Sequence, residues 1–255
     1  MAVSAPNSSA VQRVRFLGSP VDRLTVSETL EWMAAAAKDR IPRQAVVVNA
    51  NKFYMMKANQ ALRDVVNSAD LVVPEWAVVW GAKQLRLPPV PHSGGLLIAR
   101  EFMPFAEQRG LRPFLLGAAP NVVTQLVDQL RTKYPGLHIA GFHHGYLTTP
   151  ALEKHVVEQI RESGADALFV AMGSPAQELW IDRHKNEMGV PVSIGIGGSF
   201  DVLSGQKPDT PAWARGHGLE WLYRLAQNPR AYAKRYLVTN AWFVSAVLRA
   251  KFTEA

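Results

Sequence analysis

Residues 167–205 read ALFVAMGSPAQELWIDRHKNEMGVPVSIGIGGSFDVLSG, and this stretch decides the fold. An apolar run at 167–172 stops at Gly173-Ser174-Pro175, and a helix-type pattern follows over 177–188. A second apolar run at 192–196 then stops at Gly197-Gly198. Strand, helix and strand in succession, with no polar alternation in the strands, predict parallel strands covered on both faces.

Working outward, the same rhythm recurs. Toward the N-terminus lie a helix at 152–163 closed by Gly164, a short strand at 138–142, a helix at 121–134 stopped by Pro135-Gly136, and a strand at 113–116. Before these come helix-type patterns at 95–108 and 76–85, a short strand at 70–73, one helix over 52–68 and a buried strand at 45–49. Thr25-Val26-Ser27-Glu28 fits a capping box that opens a helix ending near Lys38. The expected fold is α/β, a Rossmann-like, mostly parallel sheet with helices on both faces over residues 16–205. Residues 1–15 read as a flexible N-terminus, and 206–255 as a basic, aromatic-rich helical appendage.

The 255 residues contain no cysteine, which excludes disulfides and thiolate metal sites. No basic-then-apolar leader opens the chain, and no apolar run approaches the roughly 18–20 residues that span a bilayer. The net charge is +7. Much of the excess follows Arg215, in Arg224, Arg230, Lys234, Arg235, Arg249 and Lys251. Such an end suits phosphorylated substrate, anionic lipid or nucleic acid, or is simply a solvated helix face. No nucleic-acid-binding motif accompanies it, so a nucleic-acid partner is not expected.

In open parallel sheets, ligands bind beyond the carboxyl ends of the strands. Those ends carry Gly117-Ala118-Ala119-Pro120-Asn121, then His143-His144-Gly145-Tyr146, then Gly173-Ser174-Pro175 with Gln177, then Gly197-Gly198-Ser199-Phe200-Asp201. Small residues let the backbone approach a ligand, and together they suit a nucleotide-sized pocket. The glycines do not form a dinucleotide fingerprint. His143 and His144 are a poor chelate if extended chain turns them to opposite faces. No metal is therefore expected. In the first half, Asn49, Asn51 and Glu75 follow two strands. Glu75 has two readings: a general base in a cleft, or a surface carboxylate favoured at a helix start.

At these residues the chain resembles the TagA/WecG/CpsF glycosyltransferase family over most of its length, about 16–247. The shared segments are Gly173-Ser174-Pro175 with Gln177-Glu178, Gly197-Gly198-Ser199-Phe200-Asp201 with Gly205, and Leu219-Glu220-Trp221-Leu222-Tyr223-Arg224-Leu225. Leu116-Gly117, Tyr134-Pro135 and Gly145-Tyr146 add to them. The resemblance implies inverting, metal-independent transfer from a UDP-sugar donor to a sugar on a polyprenyl-diphosphate lipid, in making bacterial surface polymers. It also implies an appendage that closes over the site and brings arginines to the diphosphates. Arg224 matches that role, with Arg230 and Arg235 as partners, since guanidinium binds phosphate oxygens in pairs. Gln177 matches a site glutamine that would bond the donor.

The departures gather in the first half. Asn49-Ala50-Asn51 stands for Thr-x-Asn, and Pro74-Glu75-Trp76 for Pro-Asp-Gly. Pro91-His92-Ser93-Gly94-Gly95-Leu96 stands for Arg-x-x-Gly-x-Asp, and Asp209-Thr210-Pro211 for Arg-Ala-Pro. Glu75 keeps the family's carboxylate with one more methylene, while Trp76 fills space that a glycine leaves open. Nucleotide binding with an altered acceptor or sugar specificity is expected. In the implied mechanism Glu75 is the base, Asn49 and Asn51 position sugar hydroxyls, and backbone N–H groups near Gly117 and Gly197 assist the leaving diphosphate. The alternative is a UDP-sugar-binding protein of the same fold that has lost catalysis. In the tail, Trp242 and Phe243 between flanking cations suit an interfacial helix on the inner face of the cell membrane. Otherwise they pack on the domain or on another subunit. Apolar surface on the first-half helices would support a homo-oligomer.

Overall fold

A computed structural model describes residues 11–215 and 218–253. The centre is a six-stranded, all-parallel sheet built from β3 (Arg43–Val48), β4 (Leu71–Pro74), β5 (Pro113–Gly117), β6 (Gly141–His143), β7 (Ala167–Ala171) and β8 (Val192–Gly195), in the order β4-β3-β8-β7-β5-β6. β5 passes its chain outward to β6 while its neighbour β7 passes inward to β8. The strand order therefore reverses between β5 and β7, where such sheets open a crevice.

Alternation along the strands sorts side chains to the two faces. Ala45, Val47, Leu71, Val73, Leu115, Phe169 and Ile194 pack with α1 (Val26–Asp39), α5 (Gly95–Arg109) and α6 (Pro120–Lys133). On the opposite face, Val46, Val48 and Val72 meet α2 (Ala50–Met55), α3 (Gln60–Ser68) and α4 (Trp76–Gln84). Phe114, Leu116, Leu168 and Val170 meet α7 (Pro150–Ser163) and α8 (Ala176–Met188). The capping box at Thr25 forms as read, with Glu28 Oε2 accepting from the Thr25 amide at 2.9 Å. Those bonds hold the Glu28 carboxyl below its ordinary pKa.

Three elements differ from the sequence reading. Residues 52–68 form two helices, because Asn59 caps a new one through the Leu62 amide at 2.9 Å. A β-hairpin, β1 (Arg13–Phe16) with β2 (Ser19–Asp22), precedes α1, so ordered structure starts inside the segment read as flexible. Its two-residue turn places Leu17 and Gly18 at φ 46° and 83°, and leucine in that conformation carries no turn signal. Third, the C-terminal appendage is helical as expected, with α10 (Ala212–Arg215), α11 (Glu220–Gln227) and α12 (Pro229–Thr253), but it shares the core of the sheet domain. Phe243 of α12 is 2% exposed and packs against Phe16 and Phe53 at ring-centroid distances of 5.8 and 6.0 Å. Gly81 of α4 permits this closure, since a Cβ there would lie 2.6 Å from Phe16 Cζ and 3.1 Å from Val247 Cγ2.

Candidate active site

The carboxyl ends of β3 and β4 bring the first-half candidates together. The Glu75 amide donates to Val48 O at 2.9 Å, which ties the end of β4 to the end of β3. Asn49 caps α2 by accepting from the Lys52 amide at 2.9 Å, and its Nδ2 donates to Glu75 Oε2 at 3.1 Å. Asn51 follows in the first turn of α2, half-buried, with Nδ2 3.9 Å from Met55 Sδ. Glu75 itself is half-buried at the N-cap of α4 and makes no side-chain cap bond, so its carboxylate is not spent on the helix start.

The next residue builds a wall beside it. Trp76 stacks on His92 with ring centroids 4.4 Å apart and planes 18° apart. The Ser93 amide donates to Pro74 O at 3.1 Å and holds the His92 segment against β4. Burial pushes the His92 imidazole down to about 4, so the ring is neutral near pH 7. A Cβ on Gly94 would lie 3.1 Å from His92 Nε2 and 3.3 Å from Glu75 Cγ, so a larger residue there would press on both side chains. Trp76 Nε1 is buried with no hydrogen-bond partner among the described residues.

The second-half ends form the other side. Gly117 takes φ 140°, and a Cβ there would lie 2.5 Å from Ala171 O. Gly145 sits on it, with its Cβ direction 3.0 Å from Gly117 Cα and its amide donating to Ala118 O at 2.9 Å. Tyr146, the next residue, is 58% exposed, with its ring 6.1 Å from that of His144. His143 and His144 do not diverge as read: the strand ends at His143, the chain turns, and the ring centroids are 4.2 Å apart. Gly197 is at φ 57° with open space on its Cβ side, and Gly198 precedes the short helix α9 (Ser199–Leu203). Asp201 of α9 is paired with Lys207 at 3.1 Å.

Gln177 stands apart from the reading that it bonds a ligand. It is buried, and its Oε1 accepts from the Gly173 and Gly197 amides at 3.1 and 3.0 Å. The Gly197 amide is therefore already engaged within the protein and is not a free donor for a leaving group. Lys52 and Glu178 lie next to this group and were not singled out by their chemistry. A lysine on an amphipathic helix and a glutamate in a first turn both read as solvated.

The appendage reaches the site through its backbone. A Cβ on Gly218 would lie 3.3 Å from Trp76 Cβ, so the segment leading into α11 passes against the Trp76 wall. Arg224 is half-buried on α11, and Arg230 is exposed in the first turn of α12. The side chain of Arg235 lies outside the described residues. Among those described, no hydrogen bond or ion pair joins Arg224 or Arg230 to the Glu75 group. Trp242 and Phe243 do not face outward as an interfacial pair. Phe243 is core, and Trp242 is half-buried, 5.7 Å from the Tyr54 ring, with Lys57 Nζ 5.0 Å from both rings.

The carboxylate–amide pair and the glycine loops thus lie at the carboxyl ends of one parallel sheet, where such folds bind ligands. The model of the Glycosyl transferase WecG/TagA/CpsF family matches residues 14–255, and the chain belongs to that family of glycosyltransferases. It is 33% identical over 208 residues to the N-acetylglucosaminyldiphosphoundecaprenol N-acetyl-beta-D-mannosaminyltransferase of Bacillus spizizenii, covering 80% of this chain and 79% of that protein. It is 31% identical over 219 residues to the Staphylococcus aureus protein of the same name, covering 85% of each.

Proposed function

We propose that this glycosyltransferase moves an N-acetylhexosamine from a UDP-sugar onto a sugar carried by a polyprenyl diphosphate, with inversion and without a metal. The observation that carries the reading is the Asn49–Glu75 contact of 3.1 Å at adjoining strand ends, facing the glycine loops of the same sheet edge. Glu75 takes the proton of the acceptor hydroxyl as that oxygen attacks the anomeric carbon. The bond from the anomeric carbon to the UDP oxygen breaks, and the nucleoside diphosphate leaves with the electron pair. Asn49 holds the Glu75 carboxylate in line, and Asn51 lies beside it for a sugar hydroxyl. Gly117, Tyr146, Gly198 and Asp201 line the nucleotide side. Arg224, Arg230 and Arg235 of the appendage meet the diphosphates and supply the positive charge that a metal supplies elsewhere. The acceptor in the relatives' names, N-acetylglucosaminyldiphosphoundecaprenol, supports the lipid-linked class. Titration with UDP and a panel of UDP-sugars in EDTA, then in magnesium, tests the donor. Micromolar binding unaffected by magnesium is expected; no binding to any UDP compound sinks the reading.

We further propose that the appendage rests on an anionic membrane surface at the cytoplasmic face. No helix among the described residues is long and apolar enough to cross a membrane. Leu237, Val244, Leu248 and Phe252 recur at helical spacing on the exposed side of α12, with Lys234, Arg249 and Lys251 exposed beside them. These residues, not Trp242 and Phe243, are the ones to test. Deleting the tail would strip Phe243 and Val247 from the core, so substitution is the cleaner probe. Leu237→Glu with Leu248→Glu should abolish co-sedimentation with anionic vesicles, and unchanged sedimentation would exclude this face.

A further inference from the structure

Beneath the glycine loops lies a buried polar group that the proposed reaction does not use. Lys52 and Glu178 are 2% and 1% exposed, and Lys52 Nζ lies 2.6 Å from Glu178 Oε1. That one oxygen also accepts from Ser174 Oγ at 3.0 Å and from Gln177 Nε2 at 2.7 Å. Lys52 Nζ donates further to Val47 O at 2.5 Å, and Gln44 Nε2 donates to Glu178 O at 2.9 Å. Three strand ends thus meet at one carboxylate: β3 through Val47, β7 through Ser174, and β8 through Gln177 and Gly197.

Each step of this arrangement requires the next. The amides of Gly173 and Gly197 both point at the Gln177 side chain, so its oxygen must face them and its nitrogen must face away. The nitrogen then needs an acceptor on its far side, and Glu178 Oε1 is that acceptor. A buried carboxylate needs a compensating charge, and Lys52 supplies it. Gly195 leaves room for the amide, since a Cβ there would lie 2.5 Å from Gln177 Nε2. A buried ion pair is poor evidence of stabilisation, because its desolvation cost offsets its attraction. Setting the direction of one amide, and through it the spacing of two ligand-side loops, is a use that an apolar pair cannot replace.

We infer that Lys52 and Glu178 are positioning residues for the sugar-nucleotide donor, acting through Gln177 to hold the Gly173 and Gly197 loops at the separation the donor needs. This deepens the donor reading above and rests on it. On the acceptor side, the Glu75 carboxylate bonds to Asn49 and not to the Gln177 amide.

The test compares full-length wild type with Lys52→Met/Glu178→Leu, which removes both charges and the acceptor for Gln177 Nε2 while keeping the volume apolar. Its unfolding midpoint should fall less than that of Lys52→Met alone, which strands a buried carboxylate, because the double variant leaves only neutral groups such as the Gln177 amide without their partner. In the double variant, UDP affinity should fall and the donor KM rise by about tenfold or more, with kcat at saturating donor and the acceptor KM within about threefold. Amide hydrogen exchange at Gly173 and Gly197 should quicken as their acceptor loosens. Wild-type donor affinity and exchange in a folded double variant would overturn the inference. If that variant does not fold, Gly195→Ala displaces the same amide with the ion pair intact; loss of donor affinity is again expected, and wild-type affinity overturns it. Wild type that binds no UDP-sugar overturns the donor reading and this inference with it. Binding equal in wild type and variants overturns this inference alone.

Discussion

The two ends of the sheet's carboxyl edge treat their polar groups differently. At β7 and β8, the Gly173 and Gly197 amides, the Gln177 amide and the Glu178 carboxylate are joined to one another inside the protein. At β3 and β4, Glu75 accepts a bond from Asn49, and the Trp76 N–H beside it has no partner among the described residues. Glu178 Oε2 is likewise buried without a partner among the described residues, so the difference lies in how densely each carboxylate is held: Glu178 Oε1 takes three bonds and Glu75 Oε2 one. With Glu75 as the proposed base, this contrast fits the departures from the family pattern noted at Trp76 and His92. On that reading the side chains beside Glu75 change with the substrate, whereas the more densely bonded group at Glu178 tolerates little change.

The comparison breaks first, and hardest, at Glu75. Glu75→Gln should lower kcat by about 100- to 10,000-fold while leaving UDP affinity and the unfolding midpoint near wild type. Intact turnover would move the base elsewhere. The next effect is on stability in acid. His92 is held at about 4 by burial, below the roughly 6.5 of an exposed histidine, so the unfolded chain takes the proton first. Stability from this group is complete above about pH 6.5 and is lost as pH falls toward 4, by on the order of 2–3 kcal/mol. His92→Gln should flatten that slope in urea unfolding between those pH values, and an unchanged slope would place its origin in another group. The smallest effect sharpens the contrast between a cap and a site. Asn49→Ala and Asn59→Ala each remove an N-cap and should each cost about 1 kcal/mol of stability. Only Asn49→Ala should also lower turnover, because only Asn49 touches Glu75.

Much of the sheet was legible because its strands are buried on both faces and read as continuous apolar runs. The capping box at Thr25 and the glycine stop at Gly164 were legible for similarly local reasons. What escaped depended on contacts far apart in sequence. The break between α2 and α3 has no proline or glycine, only Asn59 turning back to cap. Phe243 reads as an interfacial aromatic until Phe16 and Phe53 are seen around it. Among the candidate site residues, Asn49, Asn51 and Glu75 stood out by position after their strands. Gln177 was found by its motif, but its bonds to the Gly173 and Gly197 amides were hidden, because a sequence does not say which way an amide faces. Lys52 gave no signal: nothing around a lone helical lysine announces that it will be buried beside a glutamate more than a hundred residues later.

The aromatic cluster of Phe16, Phe53 and Phe243 has a consequence for how the protein is made. A chain emerging from the ribosome presents the hairpin and α2 early and α12 last. Until α12 arrives, Phe16 and Phe53 lack the ring that completes their cluster. A product of interrupted synthesis that ends before Phe243 would carry Glu75 and the glycine loops and yet present a sticky aromatic face. It would be marked for chaperones and proteases before it could act on any substrate.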